Sequence, residues 1–271
     1  MTASHDLSLL NRSLRKEETR ELNISQINYD ITDYLLYEFA KGGDRAKKLL
    51  EQNKLEYRLH SFIDQWNDDE LPISLDIGCA TCRYPKLFKE MGFVAHGYEV
   101  NERLVNFHQR ENYNANNIQV QLKNILTSQP EREKFHFITC MMGTINHFSS
   151  AEVDIAFRWM VNSLKPGGHL VFSVWNPECP FQSFLSFYDQ HNMNSISRNA
   201  LSSKVILGKL KQYRFQNIVV EPICLLPSSC YQYWGANVDP MDLVNIDNEI
   251  AKIVHAETNS QMLVFFMTKS E

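Results

Sequence analysis

The chain has 271 residues, 44% of them apolar, and its 27 basic and 32 acidic residues leave a formal charge of −5. That length is ample for one large domain with an elaboration. The acidic balance argues against a surface that tracks a phosphate backbone, and no apolar run reaches the length of a membrane span.

The N-terminus, Met1 to Asp6, lacks the basic flank and apolar core of a secretory signal. Residues 1–24 read as a loose helical arm with Leu7, Leu10 and Leu14 as anchors. Tyr34, Leu35, Leu36 and Phe39 suggest a helix stopped by Gly42-Gly43. Asp44 then caps a longer helix with Leu49, Leu55, Leu59, Phe62, Ile63 and Trp66 on one face. Residues 67–72 link it to a short buried strand, Ile73 to Ile77, followed by a small-residue turn. A helix begins near Arg83, and a second strand, Phe93 to Tyr98, leads into Glu99. Asn101 caps a helix carrying Leu104, Val105 and Phe107, and Ile118 to Leu122 forms a third strand before Asn124-Ile125. Phe135 to Met142 is apolar throughout, as expected of a central fourth strand. Ser149 and Glu152 have capping-box spacing ahead of Ile155, Trp159 and Met160. Lys165-Pro166-Gly167-Gly168 reads as a turn before a fifth strand, Leu170 to Trp175. Residues 176–203 break the rhythm with Phe181, Phe184, Phe187, Tyr188 and His191. A helix (Ala200 to Gln212), a strand (Phe215 to Leu225), a helix near Asp239 to Val254 and a last strand (Met262 to Thr268) complete the chain. Alternating strands and helices argue for a mainly parallel sheet.

The strand, tight turn and helix at Asp76 to Arg83 make the most informative unit. In a doubly wound sheet a ligand sits where such a turn opens at the carboxyl end of a strand. The turn needs small residues so that the ligand can lie against backbone, and Glu99 ends the next strand where an acid can accept from a ribose diol. A dinucleotide-binding turn wants G-x-G-x-x-G, because the backbone must approach a pyrophosphate. Here Gly78, Ala80 and Thr81 occupy the motif positions, with no third glycine. Cys79 and Cys82 form a C-x-x-C, but zinc would need a second ligand pair and none has suitable spacing. They read as small turn residues with reduced thiols, which points to the cytoplasm.

Leu75-Asp76-Ile77-Gly78-Cys79-Ala80-Thr81-Cys82-Arg83 resembles the first motif of class I S-adenosylmethionine (SAM) dependent methyltransferases. The resemblance covers roughly residues 71–175 and continues more weakly to the C-terminus. It implies an α/β fold: a doubly wound, seven-stranded Rossmann-like sheet over residues 71–271, its final strand antiparallel. Residues 1–70 would form an N-terminal helical cap. Segments 176–203, inserted after strand 5, and about 226–238 would cover the substrate. It implies SAM as methyl donor, S-adenosylhomocysteine as product, no metal, and a small-molecule acceptor with an N, O or C nucleophile. A methyltransferase of RNA or protein, and a degenerate module supported by Ala80 and Cys82, remain as alternatives.

The resemblance also implies a site. Gly78, Cys79, Ala80 and Arg83 would line the turn, and Asp76 would either meet the amino-acid end of SAM or simply hold the turn. Glu99 and Val100 would take the ribose, and Asn124 and Ile125 the adenine. Cys140, Met141 and Met142 would lie along the methionine portion. Tyr29, in Ser25 to Asp30, would fold over the cofactor or merely precede a helix capped by Asp30. His147 follows the fourth strand as a general base or a structural histidine. Tyr231, Tyr233 and Trp234 would wall a substrate pocket or pack in the core.

Overall fold

Seven short apolar runs pair into one sheet, and the polar segments between them either coil into helices or turn at its edges. The computed structural model describes residues 43–110, 118–180, 201–227, 230 and 238–271. The predicted arm and first helix, Tyr29, the Phe181 to His191 stretch, and Tyr231, Tyr233 and Trp234 lie outside these residues.

Helix α1 (Gly43–Ile63) leads through a polar link into β1 (Ile73–Ile77). Then come α2 (Arg83–Glu90), β2 (Val94–Glu99), α3 (Glu102–Arg110), β3 (Ile118–Leu122) and β4 (Phe135–Cys140). A single 3-10 turn (Thr144–His147) precedes α4 (Ser150–Ser163) and β5 (Leu164–Trp175). The remainder is α5 (Ser203–Leu210), β6 (Phe215–Ile223), α6 (Pro240–Ala251), α7 (Ala256–Asn259) and β7 (Met262–Lys269). The sheet order is β3-β2-β1-β4-β5-β7-β6, with β7 antiparallel to both neighbours and the β1 to β5 pairings parallel. This is the doubly wound, seven-stranded sheet expected.

Local signals account for the helix starts. The Asn101 side chain accepts from Arg103 N at 3.0 Å and so caps α3. Ser149 and Glu152 form the capping box reciprocally, at 3.3 and 2.7 Å. Strand residues alternate between two cores, as a period of two demands. In β5, Val171 joins Leu50, Leu55 and Leu59 of α1 and Phe88 of α2 on one face. Leu170, Phe172 and Val174 join Phe157 and Met160 of α4 on the other.

Two boundaries differ from the sequence reading. The expected turn at residues 165–168 lies inside β5: Leu164 pairs with Phe135 and His169 with Phe137, so the extra residues are absorbed as a bulge. Gly168 is required there, since an added Cβ would sit 2.9 Å from Lys165 O and 3.1 Å from His136 O. Strand β4 stops at Cys140, not at Met142, because Met142 and Gly143 both turn left-handed (φ 55° and 72°). The strand order reverses between β1 and β4, which puts a topological switch point at their carboxyl ends.

Candidate active site

Three alternate residues of the β1–α2 turn are left-handed: Gly78 (φ 73°), Ala80 (φ 41°) and Cys82 (φ 61°). Glycine takes this conformation freely, whereas Ala80 and Cys82 carry strain of about 1–2 kcal/mol each. Hydrogen bonds hold the coil. Gly78 N and Cys79 N donate to Tyr98 O at 2.8 and 3.2 Å, and Cys82 N to Cys79 O at 2.7 Å. Ala80 N donates to Glu99 Oε2 at 2.9 Å, and His108 Nε2 lies 2.6 Å from Ala80 O. Four of the turn's amides are therefore consumed within the protein, and Pro85 in the first turn of α2 has none. A turn so engaged is poorly made to cradle phosphate, which needs convergent free N–H groups.

Acids surround the turn instead. Glu99 is 5% exposed and accepts from Val100 N, Asn101 N and Ala80 N at 2.8, 3.0 and 2.9 Å. A carboxylate offers about four acceptor positions, so one remains for a ligand. Burial raises its pKa, opposed by those three amides. Asp76 is buried and takes the Thr139 hydroxyl at 2.7 Å. Burial pushes its carboxyl well above the usual range, Thr139 works against this, and Cys82, Glu51 and Glu99 add to it.

The third acid, Glu51 of α1, is fully buried. It accepts from Met142 N at 3.0 Å and from the Tyr84 hydroxyl. Burial raises its pKa, against the pull of Ser173, Tyr84, Met142 N and the Arg83 charge. None of the three acids makes an ion pair among the described residues. A cationic ligand would supply the charge that their burial lacks.

The loop after β4 closes the other side. Gly143 N donates to Ser173 Oγ at 3.1 Å, and the Thr144 hydroxyl donates to Met141 O at 2.8 Å. Thr144 also packs on the β1 turn: a Cβ on Gly78 would lie 2.8 Å from Thr144 Cγ2. His147, half-buried, ends the same 3-10 turn, on the same edge of the sheet as Gly78. Cys140 and Met141 are buried at the end of β4. Asn124 and Ile125 follow Lys123, whose N–H donates to Glu99 O at 2.9 Å, so they stand beside the acid. Asn124 Oδ1 caps its own turn through Leu126 N at 2.9 Å, and Ile125 is buried. Val100 is half-buried beside Glu99, and Arg83 opens α2.

The sulfurs of Cys79 and Cys82 are 3.9 Å apart and both residues are buried. The bond from Cys79, aided by His108, lowers the Cys82 thiol to about 6, and the same bond raises that of Cys79. Among the described residues no group of three or more His, Cys, Asp or Glu has metal-holding geometry.

Five members of this cluster escape the sequence reading: Glu51, Tyr84, His108, Thr139 and Ser173. For Glu51 a signal existed, since an acid at 51 shares the four-residue stripe of Leu55 and Leu59, a place for burial. The others meet their partners only through the fold.

A family model described as a methyltransferase domain matches residues 31–219. No curated protein sequence matches the chain. Among solved structures, a SAM dependent methyltransferase from Archaeoglobus fulgidus is 16% identical with a TM-score of 0.54, covering 80% of this chain and 94% of its own. Phosphoethanolamine N-methyltransferase 2 of Haemonchus contortus, bound to phosphomonomethylethanolamine and S-adenosylhomocysteine, is 17% identical with a TM-score of 0.58. That match covers 92% of this chain but 60% of the Haemonchus protein. A Thermotoga maritima SAM-dependent methyltransferase, described as a possible histamine N-methyltransferase, is 15% identical with a TM-score of 0.52, over 88% and 93% of the two chains. At these identities the likeness is one of fold. No described helix is long and apolar enough to cross a membrane.

Proposed function

The chain belongs to the class I SAM-dependent methyltransferase family, and from that premise we propose that it methylates a small molecule at an N, O or C nucleophile, an amine nitrogen foremost. SAM supplies an electrophilic methyl on a sulfonium. The observation that carries the site reading is the trio of buried acids around a turn four of whose amides are already engaged within the protein. Such a lining suits a cation without phosphate. A small acceptor is favoured by the charge of −5 and by two structural relatives, the phosphoethanolamine N-methyltransferase and the protein described as a possible histamine N-methyltransferase.

In this reading the fourth acceptor position of Glu99 takes the ribose diol, with Val100 beside it. Asp76, Gly78, Cys79, Ala80 and Arg83 take the amino-acid end. Asn124, through its second lone pair, and Ile125 take the adenine, and Cys140, Met141 and Met142 line the methionine portion. Of the cap proposed at residues 1–70, helix α1 packs Leu50, Leu55 and Leu59 on the domain at 71–271. The protein accelerates transfer by aligning the acceptor and excluding water. His147, which ends the 3-10 turn after β4, takes the acceptor's proton in this reading.

Methyl-labelled SAM offered with small amines, RNA and protein in parallel tests the proposal. Label in a small amine is expected. Label confined to RNA or protein would overturn the acceptor class, and S-adenosylhomocysteine binding with no transfer to any acceptor would indicate the degenerate module.

A further inference from the structure

We propose that Glu51 is a positioning residue that clamps the Met142–Gly143 turn and the start of α2, and so couples the docking of α1 to cofactor binding. The inference rests on the cofactor site argued above.

Its geometry is specific. Met142 and Gly143 are consecutive left-handed residues, and the methionine is strained there. Both of their amides are anchored. Met142 N donates to Glu51 at 3.0 and 3.3 Å, and Gly143 N to Ser173 Oγ at 3.1 Å. The Tyr84 hydroxyl also donates to the Glu51 carboxyl, which ties α2 to the same group, while Ser173 ties the neighbouring amide to β5. The turn cannot drift outward either, since a Cβ on Gly143 would sit 2.4 Å from Trp175 Nε1. Lys47, one helical turn before Glu51, lies 4.8 Å over the Trp175 ring. From the clamped turn, Thr144 reaches Gly78. One carboxyl from outside the sheet therefore fixes both loops that flank the switch point.

A fully buried acid sharing its stripe with Leu55 and Leu59 has no reason in stability alone, because an apolar residue of similar volume would serve α1 as well. Holding backbone amides in a strained turn does require a buried acceptor.

The test separates clamping from stability. At its other end α1 is tied by Arg58 and Lys54 to Glu221, at 2.8 and 3.2 Å, far from the turn. Titration with S-adenosylhomocysteine should show E51A weakened about tenfold. E51Q, which keeps an oxygen for Met142 N, should stay within about threefold. E221Q should lower the melting temperature and leave affinity unchanged. Hydrogen exchange over residues 141–146 should speed up in E51A and not in E221Q. Y84F removes a donor to Glu51 and S173A removes the acceptor of Gly143 N; each should weaken binding about two- to fivefold, a check that holds if E51A does not fold. Folded E51A within twofold of wild type, E51Q as weak as E51A, or unchanged exchange at 141–146 would overturn the clamp. Failure of the wild-type protein to bind S-adenosylhomocysteine would instead refute the cofactor reading, and the exchange experiment would still decide the clamp.

Discussion

Glu99 offers the sharpest perturbation, because its carboxylate serves both the fold and the proposed ligand. In Glu99→Ala three amides, now bonded at 2.8 to 3.0 Å, lose their acceptor in a site 5% exposed. Each buried donor left unsatisfied costs about 1–3 kcal/mol, and water entering the vacated space offsets part of it. The expected loss of stability is about 2–4 kcal/mol. Glu99→Gln is the cleaner probe: one oxygen still accepts from Val100 and Asn101, but an NH2 group now faces Ala80 N. With one charge-assisted bond to the ribose removed, affinity for S-adenosylhomocysteine should fall by about 1.5–3 kcal/mol, or roughly 10- to 100-fold. Calorimetry should be run beside thermal unfolding to confirm the fold. Repeating it with an analogue lacking the ribose hydroxyls completes a double-mutant cycle. Wild type should lose affinity for the analogue, and Glu99→Gln should lose little more. A folded Glu99→Gln protein with unchanged affinity, or losses that simply add, would refute the contact.

Ala80→Gly should stabilise the turn by about 0.5–1 kcal/mol and keep or improve cofactor affinity, whereas Ala80→Val should weaken both, because a β-branched residue is an outlier at φ 41°. Burial, with help from Lys134, pushes the buried His96 down to about 4. The unfolded chain then takes up a proton first as pH falls from about 6.5 to about 4, so stability should drop across that window by up to about 3 kcal/mol. Denaturation curves at several pH values should show the drop, and His96→Leu should flatten it. His147→Ala should lower turnover and leave S-adenosylhomocysteine affinity nearly intact if the residue is a base; His147→Asn retaining most activity would assign it a shaping role. Ser149→Ala removes the α4 cap and should cost about 1 kcal/mol in thermal or urea melts.

Most of the sheet was legible because its signals are local. An apolar run closed by Asp76-Ile77-Gly78, a Ser149 to Glu152 box and an Asn101 cap each depend on neighbours a few residues away. Glu99 was legible for the same reason, through its distance from the glycine turn. The bulge in β5 was not, since Pro166-Gly167-Gly168 carries turn chemistry, and only the pairings of Leu164 and His169 with β4 on either side keep it in the strand. The reach of Glu51 to Met142 spans 91 positions, and that of Thr139 to Asp76 spans 63. No periodicity encodes such meetings. Ala80 and Cys82 could be seen as departures from glycine, but not that both would be left-handed, nor that four of the turn's amides would be spent inside the protein.

Calorimetric titration of the full chain with S-adenosylhomocysteine and, separately, with NAD+ decides whether buried acids and a turn with few free amides form a SAM site at the carboxyl ends of β1 and β4. Saturable one-to-one binding of S-adenosylhomocysteine, competed by SAM, is expected, with no heat from NAD+. A folded protein that binds NAD+ in preference, or that binds neither, would contradict it.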